Sequence, residues 1–195
     1  MKLTVAPHVK GLIFDLDGTL ADTMPTHYRS WQMVAAEQGI VFPESLFYAW
    51  SGVPTRTIAM RLNEQFGYSL DPLATEQAKE RYYLQLAGQV QPIAPVVEVL
   101  KAYHGKMPVA CGTGNLREIA LLTLEAIGLQ NYFQILVTFE DVQRPKPAPD
   151  TFLRCAGLMG VDPALCQVFE DGEPGLEAAR MAGMVDTDIR PFLSR

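Results

Sequence analysis

The chain has 195 residues, enough for one sizeable core with a modest satellite and too few for three independent domains. With 48% hydrophobic and 19% charged residues, both signs scattered along its length, it reads as a globular protein and not a disordered one. A formal net charge of -6 argues against a nucleic-acid backbone as partner, which needs a clustered basic face, so an anionic ligand has to be small and held by a few local cations.

The first residues carry lysines but no apolar run of the secretory type, and no stretch approaches the roughly 18 apolar residues of a membrane span. The expectation is a cytoplasmic protein with no membrane partner, and the evenly patterned acidic surface predicts a monomer. Cys111, Cys155 and Cys166 form no CxxC pair and are odd in number, which argues against a disulfide framework and for small buried hydrophobes in a reducing compartment.

In chain order, an apolar stretch over 9–15 predicts the first strand, which ends by delivering Asp15 and Asp17 onto a Gly18-Thr19 turn. Two anions just past a buried strand are unfavourable unless a cation or a proton compensates them, so the pair points to a divalent metal. Leu20 to Pro25 reads as an outgoing hinge. About 70 residues without a convincing strand follow, more than one crossover helix needs, and these predict an inserted helical subdomain. Helices are predicted over 25–38 and 55–66, stopped by Gly39 and Gly67, and from the Asp71-Pro72 start to about residue 86. Tyr28, Trp31, Val34 and Ala35, then Ile58, Ala59 and Leu62, then Leu73, Ala78, Tyr82 and Leu86 recur at helical spacing and predict its core. The proline-rich stretch from Gln91 to Pro95 reads as the return hinge.

Beyond it, strand-like stretches at 107–112, 134–139 and 166–170, with a weaker one at 184–189, alternate with helices over 115–127, 149–159 and 175–182 that stop at Gly128, Gly160 and Gly183. Such alternation predicts an α/β fold with a parallel sheet covered on both faces and functional residues at the strand C-termini. The predicted organisation is a core of residues 1–22 and 93–195 with a helical cap over 23–92.

Four positions, each expected just after a strand, carry the chemistry: Asp15 with Asp17, Thr113 with Gly114, Lys146, and Glu170 with Asp171. Together they suit phosphoryl transfer. A carboxylate attacks phosphorus, a second carboxyl shuttles protons, a hydroxyl and glycine amides hold phosphate oxygens, and a lysine with a metal neutralises developing charge.

The set resembles the haloacid dehalogenase-type phosphatase superfamily, whose motifs are matched in order by Asp15-Leu16-Asp17-Gly18-Thr19, Gly112-Thr113-Gly114, Arg144-Pro145-Lys146-Pro147-Ala148-Pro149-Asp150 and Phe169-Glu170-Asp171-Gly172. The insertion is similar to the helical cap of the subgroup containing β-phosphoglucomutase and small sugar phosphatases. Pro25-Thr26-His27 and Lys146-Pro147-Ala148-Pro149-Asp150-Thr151-Phe152 are similar to the bacterial fructose-1-phosphate or 6-phosphogluconate phosphatase type. The resemblance implies a Rossmann-like doubly wound parallel sheet with an α-helical cap, and a small phosphorylated sugar as substrate. Asp15 is then the nucleophile and Asp17 the general acid and base, which must hold a proton for its first task. The implied cofactor is Mg²⁺, held by the Asp15 carboxylate, the Asp17 carbonyl and Asp171, with Glu170 close by. Gly18, Thr113, Gly114, Asn115 and Lys146 are the implied phosphate-binding residues, and Thr23, His27, Arg56 and Lys79 the implied substrate-facing residues of the cap.

Arg56 departs from the mutase pattern. Gly52-Val53-Pro54-Thr55 precedes it, one residue more than Gly-Val-Ser, and on a helix one residue turns a side chain by about 100 degrees. That shift favours hydrolysis over the isomerisation of a β-phosphoglucomutase-like enzyme. Asp17 and Asp171 argue against a dehalogenase, which needs neither metal nor proton shuttle. A binding module without catalysis is the reading from another class, and the full charge set argues against it.

Overall fold

The computed structural model describes residues 2–50 and 53–193, so Gly52, which entered the argument about Arg56, lies outside the described residues. The chain divides into two compact units, one running through Asp22 and resuming at Val90, the other Thr23–Gln89.

The core unit carries β1 (Gly11–Phe14), β2 (Ala21–Asp22), β3 (Gln91–Pro92), β4 (Val109–Gly112), β5 (Leu136–Val137), β6 (Cys166–Glu170) and β7 (Val185–Asp188). Five of these form one sheet in the order β5-β4-β1-β6-β7, with every neighbouring pair parallel. The short β2 and β3 pair antiparallel, Ala21 with Pro92 and Asp22 with Gln91. The residues read as the start of the return hinge are therefore tied into the core unit by this two-residue ladder.

The period-two alternation of side chains splits the sheet's apolar residues between two faces. Leu12 and Phe14 of β1, Cys111 of β4 and Phe169 of β6 pack with Val96, Val99 and Leu100 of α5 (Ala94–Tyr103) and Ala120 and Leu124 of α6 (Arg117–Ala126). Ile13, Ala110 and Val168 pack on the other face with Phe152, Cys155 and Ala156 of α7 (Asp150–Met159) and Ala178 and Ala179 of α8 (Glu173–Met181). Both faces are covered, so β1 is buried throughout, and each such large side chain contributes about 1.5–3 kcal/mol. Phe14 and Phe169 stack at 5.0 Å with planes 9° apart, fastening β1 to β6 just below the strand ends. The three cysteines are free and buried.

α5 is absent from the sequence-based expectation, which treats Gln91 to Pro95 as hinge. Pro95 sits in the first turn of this helix, where a missing N–H costs nothing, and its valines bury one face. The ladder of β5 is also shorter than residues 134–139, because Phe139–Asp141 turns into a short 3₁₀ segment closed by a Thr138–Asp141 capping box.

The helical unit contains α1 (Met24–Gln38), α2 (Glu44–Ala49), α3 (Thr55–Phe66) and α4 (Pro72–Leu86). Trp31, Val34, Phe42, Phe47, Ile58, Leu62 and Ala78 form its core. The Asp71 carboxylate caps α4 by accepting from the N–H groups of Leu73 and Ala74 at 2.9 and 3.0 Å. One residue departs from the predicted core stripe of α4: Leu73, in its first turn, is exposed; Tyr82 packs half-buried against this core, and Tyr83 beside it is buried as well. Among the described residues no helix is long and apolar enough to cross a membrane.

Candidate active site at the strand ends

β1 lies at the centre of the sheet, between β4 and β6. Chain order runs outward from β1 through β4 to β5 on one side and continues with β6 on the other, which makes the C-terminal ends of β1, β4 and β6 a topological switch point. Asp15, Thr113 and Asp171 are the next residues after these three strands. The ladder continues one residue further at two of them: the Asp15 N–H donates to the Phe169 carbonyl at 3.0 Å and the Thr113 N–H to the Val137 carbonyl at 2.9 Å. The positions of these side chains are thus set by the sheet and not by loop conformation.

Lys146 arrives differently from the expectation, since it does not directly follow a strand. It sits in the loop between the 3₁₀ turn and α7, on a cis bond to Pro147, and Arg144 closes that loop with a fork to Asp150, Nη2 to Oδ1 at 2.8 Å and Nε to Oδ2 at 3.2 Å. The Lys146 ammonium donates to Asp15 Oδ1 at 2.7 Å and to Glu170 Oε2 at 2.8 Å, and lies 4.6 Å from the centre of the Phe152 ring. Burial works against the ammonium, but Asp15 and Glu170 together outweigh it and push its pKa above the ordinary lysine value. Lys146 is a fixed positive charge.

The acidic pair after β6 is held as firmly. Glu170 accepts from the Gly172 N–H at 3.0 Å through its other oxygen, and Asp171 Oδ1 accepts from the Thr19 hydroxyl at 3.0 Å. Two glycines make room for them. Gly18 has φ +81°, and a Cβ there would overlap the Asp171 carboxylate; a Cβ at Gly175 would overlap the Glu170 carboxylate. The Gly18 N–H donates to the Ala21 carbonyl at 2.8 Å, so what this glycine offers is space beside Asp171 and not a donor for phosphate.

Asp15, Glu170 and Asp171 each place one oxygen within 4.8 Å of the others. Burial first, then the Asp15 charge, raises the pKa of both Glu170 and Asp171. These three carboxylates lie beside one ammonium, that of Lys146, and an all-oxygen donor set of this kind fits a hard dication such as Mg²⁺.

Asp17 meets the loop after β4. The Asn115 side-chain amide donates to Asp17 Oδ2 at 2.6 Å, the Thr113 hydroxyl reaches the same oxygen at 3.5 Å, and the Asn115 N–H donates to the Thr113 hydroxyl at 3.1 Å. Gly114 is exposed. α6 begins at Arg117 and not at Asn115, because the Asn115 carbonyl accepts from the Phe139 N–H at 3.0 Å and its own N–H is turned back to Thr113.

In the helical unit, Thr23 is buried and its hydroxyl finds no hydrogen-bond partner among the described residues. His27 and Lys79 meet, Nδ1 to Nζ at 2.8 Å, and Tyr83 lies under both: its ring stacks on the imidazole at 4.3 Å and is 5.1 Å from the ammonium. Burial, then the Lys79 charge, holds the His27 pKa well below its usual value. The imidazole is therefore neutral and Nδ1 accepts from the ammonium, which leaves the ring proton on Nε2. Arg56 is exposed and ion-paired with Glu76.

The cysteines offer no alternative nucleophile. Burial raises the thiol of Cys111 well above its ordinary pKa, that of Cys155 to about 12 and that of Cys166 to about 11. Sequence reasoning passed over the Arg144–Asp150 fork, Phe152, Gly175 and Tyr83. Arg144, Asp150 and Phe152 lie inside the quoted motifs and were there to be found; Gly175 and Tyr83 carry no local signal.

A family model described as haloacid dehalogenase-like hydrolase matches residues 9–183. Fructose-1-phosphate phosphatase YqaB of Escherichia coli (strain K12) is 44% identical over 92% of this chain and 96% of its own length. A phosphorylated carbohydrates phosphatase of Thermotoga maritima is 31% identical over 90% of this chain and 82% of its own. Among solved structures, a HAD family hydrolase from Deinococcus radiodurans R1 with bound phosphate and sodium superimposes with a TM-score of 0.78 at 25% identity, covering 93% of this chain and 80% of that one.

Proposed function

The chain belongs to the haloacid dehalogenase-like hydrolase family, and from that premise we propose that it is a Mg²⁺-dependent phosphatase of small sugar phosphates, working through an aspartyl-phosphate on Asp15. The observation that carries this reading is the Lys146 ammonium bridging Asp15 and Glu170, at 2.7 and 2.8 Å, across residues far apart in sequence. The names of the two phosphatase relatives support a hexose phosphate such as fructose 1-phosphate as substrate.

On this reading an Asp15 carboxylate oxygen forms a bond to phosphorus as the phosphorus–oxygen bond to the sugar breaks. Asp17 gives its proton to the leaving sugar oxygen, then takes one from the water that hydrolyses the acyl phosphate. Lys146 orients the Asp15 carboxylate through its hydrogen bond and offsets charge gathering on the phosphoryl oxygens, while the Thr113 hydroxyl and the Gly114 amide hold them. Mg²⁺ would be held by Asp15, the Asp17 carbonyl and Asp171 with Glu170 beside them, and when bound it stabilises negative charge on the phosphoryl group. We assign His27 and Lys79 to discrimination among sugars. The pairing of Arg56 with Glu76 favours hydrolysis over a mutase cycle, which needs a free cation for a second phosphate.

Phosphate release across hexose 1-phosphates, hexose 6-phosphates and 6-phosphogluconate, with and without Mg²⁺, tests the proposal. Turnover of at least one sugar phosphate that stops in excess chelator supports it. Undiminished turnover in chelator contradicts the metal dependence, and isomer formation without net phosphate release would establish the mutase.

A further inference from the structure

Asn115 stands in the loop after β4, where the family motif suggests a phosphate contact, yet its side chain points elsewhere. Its Nδ2 donates to Asp17 Oδ2 at 2.6 Å, a shorter approach than the 3.5 Å of the Thr113 hydroxyl to the same oxygen. Three further bonds hold the donor in place. The Asn115 N–H donates to the Thr113 hydroxyl at 3.1 Å, its carbonyl accepts from Phe139, and Thr113 itself is anchored to β5 through the Val137 carbonyl at 2.9 Å. Asp17 is only partly buried and lies three residues beyond the strand end, so the sheet does not fix its carboxylate as it fixes Asp15. A donor built onto the neighbouring strand end constrains it.

We propose that Asn115 is a positioning residue for the general acid: it holds one oxygen of Asp17 and so directs the other toward the leaving sugar oxygen. The inference rests on the phosphatase reading above. In the step it serves, Asp15 forms its bond to phosphorus, the electron pair of the breaking bond goes to the sugar oxygen, and that oxygen takes the proton from Asp17. A misdirected Asp17 leaves the attack possible and the protonation slow. The defect therefore depends on the leaving group, which sets it apart from loss of phosphate binding or of folding.

The test compares fructose 1-phosphate, or whichever hexose phosphate the panel identifies, with p-nitrophenyl phosphate, whose phenolate leaves without being protonated. General acid catalysis is worth roughly 10²- to 10⁴-fold, so in Asn115→Ala the ratio of kcat/KM for sugar phosphate over aryl phosphate falls about tenfold or more, with most of the change in kcat. Asn115→Gln, which keeps an amide donor, recovers part of that ratio. Equal losses on both substrates would assign Asn115 to phosphate binding or to structure, and an unchanged ratio would remove its role; either result overturns the inference while leaving the phosphatase reading intact. Should Asn115→Ala fail to fold, Asn115→Ser removes the amide with a side chain suited to a loop and gives the same comparison. Failure of the phosphatase reading itself would appear as no phosphate release from any substrate by the wild-type protein.

Discussion

The strand-end cluster of the core and the polar cluster of the helical unit each hold a half-buried lysine, in different ways. Lys146 is held by two acidic side chains, Asp15 and Glu170, with Asp171 in the same cluster. Lys79 meets a neutral imidazole and an aromatic face. The first arrangement offers carboxylate oxygens that suit a further cation. The second pairs its ammonium with an imidazole and a tyrosine ring, groups that also suit contacts to sugar hydroxyls.

Removing the cation from the anionic cluster is the harshest way to break this contrast. Lys146→Met leaves Asp15 and Glu170 buried without their ion pair, so we expect phosphate release to fall roughly 10²- to 10³-fold and the fold to lose about 3–5 kcal/mol. Thermal unfolding with and without Mg²⁺ checks the second part, and an unchanged midpoint without metal would show that the acids are relaxed without Lys146.

Glycines sharpen the contrast. Gly18 and Gly39 both have positive φ, but only at Gly18 does a Cβ meet a neighbour, the Asp171 carboxylate. Gly39→Ala should cost about 1 kcal/mol from backbone strain alone, whereas Gly18→Ala should cost more and also weaken Mg²⁺ binding. Calorimetric titration of Mg²⁺ into both variants separates them, and equal affinities would dissociate Gly18 from the acid cluster.

The smallest expected effect is a pH dependence in the helical unit. Because folding lowers the pKa of His27, the unfolded chain binds its proton more readily, and stability increases with pH in that range. The contribution of His27 is complete above its unfolded value near 6.5 and is lost as the pH falls below that toward the folded pKa. An NMR titration should show the His27 imidazole neutral well below pH 6.5, with Lys79→Met moving its pKa partway back while burial keeps the rest of the shift. A His27 that titrates near 6.5 in the wild-type protein would remove the neutral-acceptor account.

How much of this was legible in the sequence follows the same division. The strand-end site was legible because buried parallel strands are short apolar runs whose next residue is the functional one, as Phe14 to Asp15 and Gly112 to Thr113 show. What escaped is set by tertiary contact. Pro95 reads as punctuation and the valines after it suit a strand, yet they form a helix because the face containing Leu12 and Phe14 needs covering. Tyr82 packs on the helical core as its spacing predicts, whereas the burial of Tyr83 goes with its stack on His27, a contact that spacing does not record. The start of α6 shifts to Arg117 because Asn115 uses its backbone on Thr113 and Phe139, a competition that no helix propensity records. The need for glycine at position 175 arises from a carboxylate folded against it.

Trapping the covalent state tests the central claim most directly. Wild-type protein mixed with the sugar phosphate it turns over, quenched during turnover and reduced with borohydride, should have Asp15 converted to homoserine, seen by peptide mass spectrometry, and the Asp15→Asn protein should show neither the conversion nor phosphate release. Reduction at another carboxylate, or Asp15→Asn retaining a substantial fraction of wild-type release, would contradict the account.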